Sequence, residues 1–153
     1  EIYMGDWSSD VALPILHALD AENAQRMRTL VREREWPTSR LVGREGIEAA
    51  FLLVQHADLS LQKEMLPLVE RAYKDGDLSG ESYALLLDRV LVGEGKPQVY
   101  GTQARRIEEW NGHDPVLQPI ADAAHVDERR AKLGMPPLRD YLAMLKNLYF
   151  RAN

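Results

Sequence analysis

Cysteine does not occur in the 153 residues. Its absence excludes a disulfide framework, a thiolate nucleophile and cysteine-ligated zinc or iron–sulfur centres, and a reducing, cytoplasmic setting is the expectation. Positive charge is not in excess: 19 Lys and Arg against 24 Asp and Glu give a net charge of −5. That sign opposes non-specific phosphate binding. The basic groups at Arg32, Arg34, Arg105-Arg106 and Arg129-Arg130 are interleaved with acids, as on solvated helix faces. Nucleic acid is therefore not an expected partner. No apolar run approaches the roughly 18 residues of a membrane span, so no membrane partner is expected, and "EIYMGDWSSD" lacks the basic-then-apolar order of a secretory signal.

Motifs of known chemistry are missing too. "GEGKPQ" has the spacing of neither the phosphate loop nor the dinucleotide fingerprint, and no serine elbow occurs. The four histidines, His17, His56, His113 and His125, show no H-x-x-x-H pairing. In His56-x-Asp58 the two side chains point to opposite sides of a straight helix. Neither a metal nor another cofactor is expected.

What is present is helical period. Hydrophobic residues make up 45% and charged residues 28%, ordinary for a globular chain. A chain of this length removes roughly 68–70% of its unfolded surface from water, without needing metal or disulfide. Residues 1–153 read as one domain, with 1–7 expected to be disordered or foreign to the natural chain. Ser8 to Asp10 cap a long helix whose stripe runs through Leu16, Leu19, Met27, Leu30 and Val31. Pro37 breaks it at Trp36, and Gly43 permits a turn. A second helix is expected from about Arg44 to Ala57, with Ile47, Ala50, Phe51 and Val54 on one face; Leu52 and Leu53 widen the apolar surface, as in a central, largely buried helix. A third carries Leu61, Met65, Val69 and Ala72, with Pro67 arguing for a kink or a late start. A fourth is capped by Ser79 or Ser82 and closed by Gly93 and Gly95. Period is lost from Lys96 to Pro119, where "QVYGTQ" and "PVLQPI" alternate like two short strands. "HVDERRAKLG" and "LRDYLAMLKNLYF" end the chain as helices. The fold class is mainly α, a bundle of about five or six helices with a small β-hairpin near 98–119.

Candidate chemistry gathers in three places. In "LLVQHADLSLQ", His56 leans over an apolar surface and is the best general acid/base, since histidine titrates near neutral pH. Gln55, Asp58 and Gln62 are three and four residues apart and share a helix face; Asp58 reads equally as the cap of the next helix. In "LLLDRV", Asp88 and Arg89 sit about 100° apart on one helix and should meet different partners, as an interior strut or as ligand contacts. In "GKPQVYGTQ", Gln98, Tyr100 and Thr102 share one face of an extended segment, with Gln103 on the other and Lys96 at the mouth. That face is either a pocket wall or an exposed hairpin.

These residues resemble a bacterial family of unknown function. The matching elements are Gln55-His56-Ala57-Asp58, Gln62, Asp88-Arg89, Gln98-Val99-Tyr100-Gly101-Thr102-Gln103, Asp127 with Arg129-Arg130, and the Trp-Pro…Gly turn of "EWPTSRLVG". The resemblance implies that dispersed polar residues form one constellation.

The resulting expectation is a small metal-independent enzyme acting on a polar small-molecule or peptide-like substrate by hydrolysis, cyclisation or elimination. His56, Asp58 and Tyr100 would be catalytic. Gln55, Gln62, Asp88, Arg89, Lys96, Gln98, Thr102, Gln103, Arg129 and Arg130 would bind substrate, the cations holding a carboxylate or phosphate. The alternatives are a non-catalytic binding module for a small polar ligand or peptide, and an adaptor with Trp7, Trp36 and Trp110 as exposed anchors.

Overall fold

The computed structural model describes the backbone of residues 9–150 and the side chains of residues 21–150; the expectations for residues 1–7 and for Trp7 fall outside them. The described residues form six α-helices: α1 (Ser9–Arg34), α2 (Ser39–His56), α3 (Leu59–Lys74), α4 (Gly80–Gly93), α5 (Val126–Lys132) and α6 (Leu138–Tyr149). Two short 3-10 turns, Ile107–Glu109 and Ala123–His125, lie between α4 and α5. The chain is mainly helical, as its apolar period predicts.

Local chemistry sets the helix ends. α1 stops at the Trp36-Pro37 step, with Glu35 in the left-handed region at φ 64°. α2 begins at Ser39, ahead of the expected Arg44, and Gly43 interrupts it with φ 73° and ψ 172°. Asp58 caps α3, its carboxylate accepting from the Leu61 N–H at 2.8 Å. Ser79 caps α4 in the same way, accepting from the Ser82 N–H at 3.0 Å. Pro67 lies inside α3 and neither delays nor ends it.

α3 packs most extensively on α4, α2 lies against both, and α1 lies against α2. The core runs through Met27 of α1, Ile47, Phe51 and Val54 of α2, Leu61, Met65 and Val69 of α3, and Leu86 of α4. α2 differs from the sequence reading: Leu52 and Leu53 are 50% and 45% exposed. One side of α2 meets the core, while the other opens on a cavity beside α1. A second group of buried residues, Trp110, Val126, Met135 and Leu145, seats α5 and α6.

The expected hairpin is not a hairpin. Residues 98–104 and 117–120 do lie together, through the Gln98 N–H to the Pro119 carbonyl (2.9 Å) and the Gln118 N–H to the Gln103 carbonyl (3.0 Å). The pairing is parallel at Gln98–Ile120 and antiparallel at Ala104–Leu117, so only isolated bridges form. Gly101 turns the chain between them at φ 71°, and the intervening N–H groups are drawn to Asp88 instead of to a neighbouring strand.

Gly80 shows how closely the two halves meet. A Cβ there would lie 2.4 Å from the Leu133 carbonyl oxygen. Alanine gains at most about 1 kcal/mol in helix propensity, whereas overlap with a backbone oxygen cannot be relieved by a rotamer change and costs about 1–3 kcal/mol. Gly80→Ala is therefore expected to lower the midpoint of urea denaturation; an unchanged or raised midpoint contradicts this packing.

Candidate functional site

The polar residues around Gly101 are gathered by one carboxylate. Asp88 is fully buried on α4. Its Oδ1 accepts from the N–H groups of Val99 (2.7 Å) and Tyr100 (3.0 Å), and its Oδ2 from the Thr102 N–H and hydroxyl, both at 3.0 Å. Backbone N–H groups converging on an anion give strong, charge-assisted bonds. Gln98, also fully buried, closes the loop from inside. Its amide nitrogen donates to the carbonyls of Gln103 (2.9 Å) and Gln118 (2.8 Å), while its oxygen accepts from the Gln103 N–H (2.8 Å).

Two arginines of α5 hold the opposite side. Arg129 donates from Nε to the Val99 carbonyl at 3.0 Å and from Nη2 to the carbonyls of Ala121 (2.7 Å) and Asp122 (3.0 Å). Arg130 is 1% exposed; it donates to the carbonyls of Tyr100 (2.8 Å) and Pro136 (2.7 Å), and its guanidinium lies 5.1 Å from the centre of the Tyr141 ring. The Tyr141 hydroxyl donates to the Thr102 carbonyl at 2.8 Å. Asp88, Gln98 and Arg130, expected as ligand contacts, are instead enclosed and occupied with main chain. Gln98, Tyr100 and Thr102 do not form a common wall, because the segment is wound around Gly101 rather than extended.

The Gln-His-Ala-Asp stretch is also a joint. Gln62 donates to the carbonyls of Gln55 and Ala57, both at 2.9 Å, satisfying acceptors that the end of α2 leaves open. Gln55 takes part through that carbonyl. Asp58 is engaged as the α3 cap, and the described residues show no His56–Asp58 hydrogen bond. His56 is exposed and lines, with Asn23, Leu52 and Leu53, the cavity of about 450 Å³ between α1 and α2. Tyr100 lies edge-on to Tyr83, 6.4 Å between ring centres. Lys96 is exposed and paired with Glu94 at 2.7 Å. Trp110, expected as an exposed anchor, is 8% exposed, with its indole N–H given to the Arg105 carbonyl at 2.9 Å. An indole buried that far cannot anchor a partner.

Arg89, Thr102 and Gln103 do come together, at a cleft of about 390 Å³ between α4, the Gly101 loop and α6. Arg89 reaches across to α2, donating from Nη1 to the Gln55 carbonyl at 2.7 Å, and contacts Gln103 Oε1 from Nε at 3.3 Å. Both acceptors are neutral, and no carboxylate pairs with Arg89 among the described residues. Burial holds its pKa below the usual guanidinium value. The rim arginines are different: Arg105 faces Glu109 at 3.5 Å and Arg106 faces Glu108 at 3.8 Å. Tyr141, Trp110, Leu145 and Tyr149 complete the cleft. Sequence reasoning took Trp110 for an exposed anchor and missed Tyr141, Leu145 and Tyr149. For these three the only signal was the amphipathic period of "LRDYLAMLKNLYF", which cannot show that α6 returns to the Gly101 loop.

Among the described residues, no cluster of three or more His, Asp or Glu is arranged to hold a metal, and no helix is long and apolar enough to cross a membrane. The chain belongs to the family of unknown function DUF6624, whose model matches residues 6–151. Neither the curated proteins nor the solved structures contain a match to it.

Two outcomes are expected from this geometry. Asp88→Asn turns an acceptor into a donor facing buried N–H groups, and should cost about 2–4 kcal/mol in urea denaturation; a loss under 1 kcal/mol contradicts the role given to the carboxylate. Tyr83 stacks on Tyr73 at 5.5 Å, and its pKa is pushed up to about 12 by burial, then by the Glu70 carboxylate. The fold therefore resists forming this phenolate: stability is intact below the ordinary tyrosine value of about 10 and falls as pH rises from there toward 12. Circular dichroism should show alkaline unfolding of Tyr83→Phe at a higher pH than in the parent protein.

Proposed function

We propose that this protein is a binding module whose cleft takes a small ligand carrying a carboxylate or phosphate on Arg89. The observation that carries the reading is a half-buried guanidinium whose protein partners are all neutral. Removing a cation from water costs several kcal/mol unless an anion or a good set of acceptors compensates it. Two of its five N–H donors are engaged by protein; the rest are available to a ligand that brings the missing charge. Gln103 orients the guanidinium from one side and the end of α2 from the other, so the donor fork is set before a ligand arrives.

Acid–base catalysis at His56 is a second reading, and one feature favours it: among the described residues, His56 is the titratable side chain lining the cavity beside α1, and the other described lining groups are mostly apolar. In that reading substrate occupies the α1–α2 cavity rather than the Arg89 cleft, and Asp58 and Tyr100 take no part in the chemistry.

Titration with acetate and with inorganic phosphate, followed by amide NMR, separates the two. Saturable shifts around Arg89, Gln103 and the Trp110 indole are expected, with a dissociation constant on the order of 1–10 mM. Arg89→Met should weaken binding at least tenfold, and so should Gln103→Glu, which keeps the arginine but gives it an internal anion. His56→Asn should leave the titration unchanged. Absence of any Arg89-dependent shift rejects the anion site, and loss of binding in His56→Asn moves the site to the other cavity.

A further inference from the structure

We infer that the ligand of this cleft is an amphipathic monocarboxylate, with an aromatic or branched aliphatic body; the inference rests on the Arg89 reading. Charge sets the head group. Glu109 and Glu108 already face Arg105 and Arg106 at the rim, so Arg89 is the uncompensated cation of the cleft and the local excess is a single positive charge. A monoanion neutralises that excess, whereas a phosphate dianion overshoots it among the Glu108 and Glu109 carboxylates. A carboxylate also matches the planar fork of a guanidinium, accepting two parallel N–H bonds.

The wall opposite sets the body. Leu145, at 9% exposure, and the Trp110 indole form its floor, and Tyr149 stands edge-on to that indole with 5.3 Å between ring centres. Ile107 and Tyr149 remain 39% and 56% exposed, apolar surface available to a ligand. The wall is firmly held: Phe150, next to Tyr149, stacks on His113 at 4.2 Å, and Lys146 pairs with Asp114 at 2.7 Å. A bare inorganic anion would leave this surface against water. A cleft of about 390 Å³ has the size of an ordinary small-molecule pocket, where apolar walls supply contact and a few polar groups set orientation. The same chemistry is offered by a free small acid and by the C-terminal residue of a peptide ending in an aromatic side chain.

The experiment compares acetate, inorganic phosphate, 3-phenylpropionate and the uncharged 3-phenylpropanamide by amide NMR and calorimetry on the full chain. 3-Phenylpropionate should bind at least tenfold more tightly than acetate and more tightly than phosphate, and the amide should lose at least tenfold. Tyr149→Ala combined with Ile107→Ala, both surface changes, should erase the advantage over acetate while leaving acetate binding in place. If acetate, phosphate and 3-phenylpropionate bind equally and all require Arg89, the anion site stands and the amphipathic ligand is rejected. If the amide binds as well as the acid, the Arg89 reading itself fails. If the double variant keeps the preference for 3-phenylpropionate, the wall assigned here is the wrong one. A tetrapeptide ending in phenylalanine with a free carboxylate identifies the source: tighter binding than 3-phenylpropionate points to a peptide terminus, equal or weaker binding to a free acid.

Discussion

The peptide group joining Val99 to Tyr100 is the point on which the C-terminal half of the structure turns. Its N–H donates to the Asp88 carboxylate and its carbonyl accepts from the Arg129 guanidinium. The next carbonyl accepts from Arg130. A buried anion and two cations are thus connected through the dipoles of the main chain rather than by direct pairing. Main-chain groups meet the Asp88 carboxylate and most of the two guanidiniums, while Arg130 Nη2 stays buried without a hydrogen-bond partner among the described residues. Direct pairing would tie α4 to α5 and leave the loop to find its own hydrogen bonds; this arrangement makes the loop the connecting piece.

The cleft inherits its rigidity from that connection. Thr102 is fixed by Asp88 from one side and by Tyr141 from the other, and Gln103 follows it directly in the chain. Gln103 in turn faces Arg89, the neighbour of Asp88 on α4. Two adjacent residues of one helix therefore divide the work: the acid gathers the loop, and the base, about 100° further round, faces the space the loop encloses. This division makes Arg89 the cation of the polar constellation that lines the cleft with only neutral acceptors.

Much of the helical architecture was legible in the chain. The stripe Leu61, Met65, Val69 and Ala72 is buried as its spacing predicts, the caps at Asp58 and Ser79 were readable as chemistry, and the Asp88-Arg89 pair was readable as two side chains with separate partners. The second helix was misjudged at Leu52 and Leu53, because apolar breadth does not say how closely a neighbouring helix approaches. The loop was harder. Alternation in Gln98, Tyr100 and Thr102 suggests a strand, yet a single buried carboxylate ten or more residues earlier outweighs it by collecting the N–H groups that a ladder needs. Polar residues around a glycine look alike whether they face a ligand or the backbone. Only the position of Asp88 tells them apart, and it is fixed by tertiary packing. Arg129 and Arg130 read as surface charge for the same reason, since their acceptors are main-chain carbonyls some thirty residues away.

The order of these partners along the chain has a consequence for synthesis. The core that joins α1 to α4 is complete in sequence once α4 has been made, but the Asp88 carboxylate on that helix is not. Its loop follows within 14 residues, whereas the arginines that clamp the loop come about thirty residues after it and Tyr141 comes 39 residues after Thr102. A growing chain therefore holds every residue of the N-terminal core before it holds the groups that clamp the Asp88 loop.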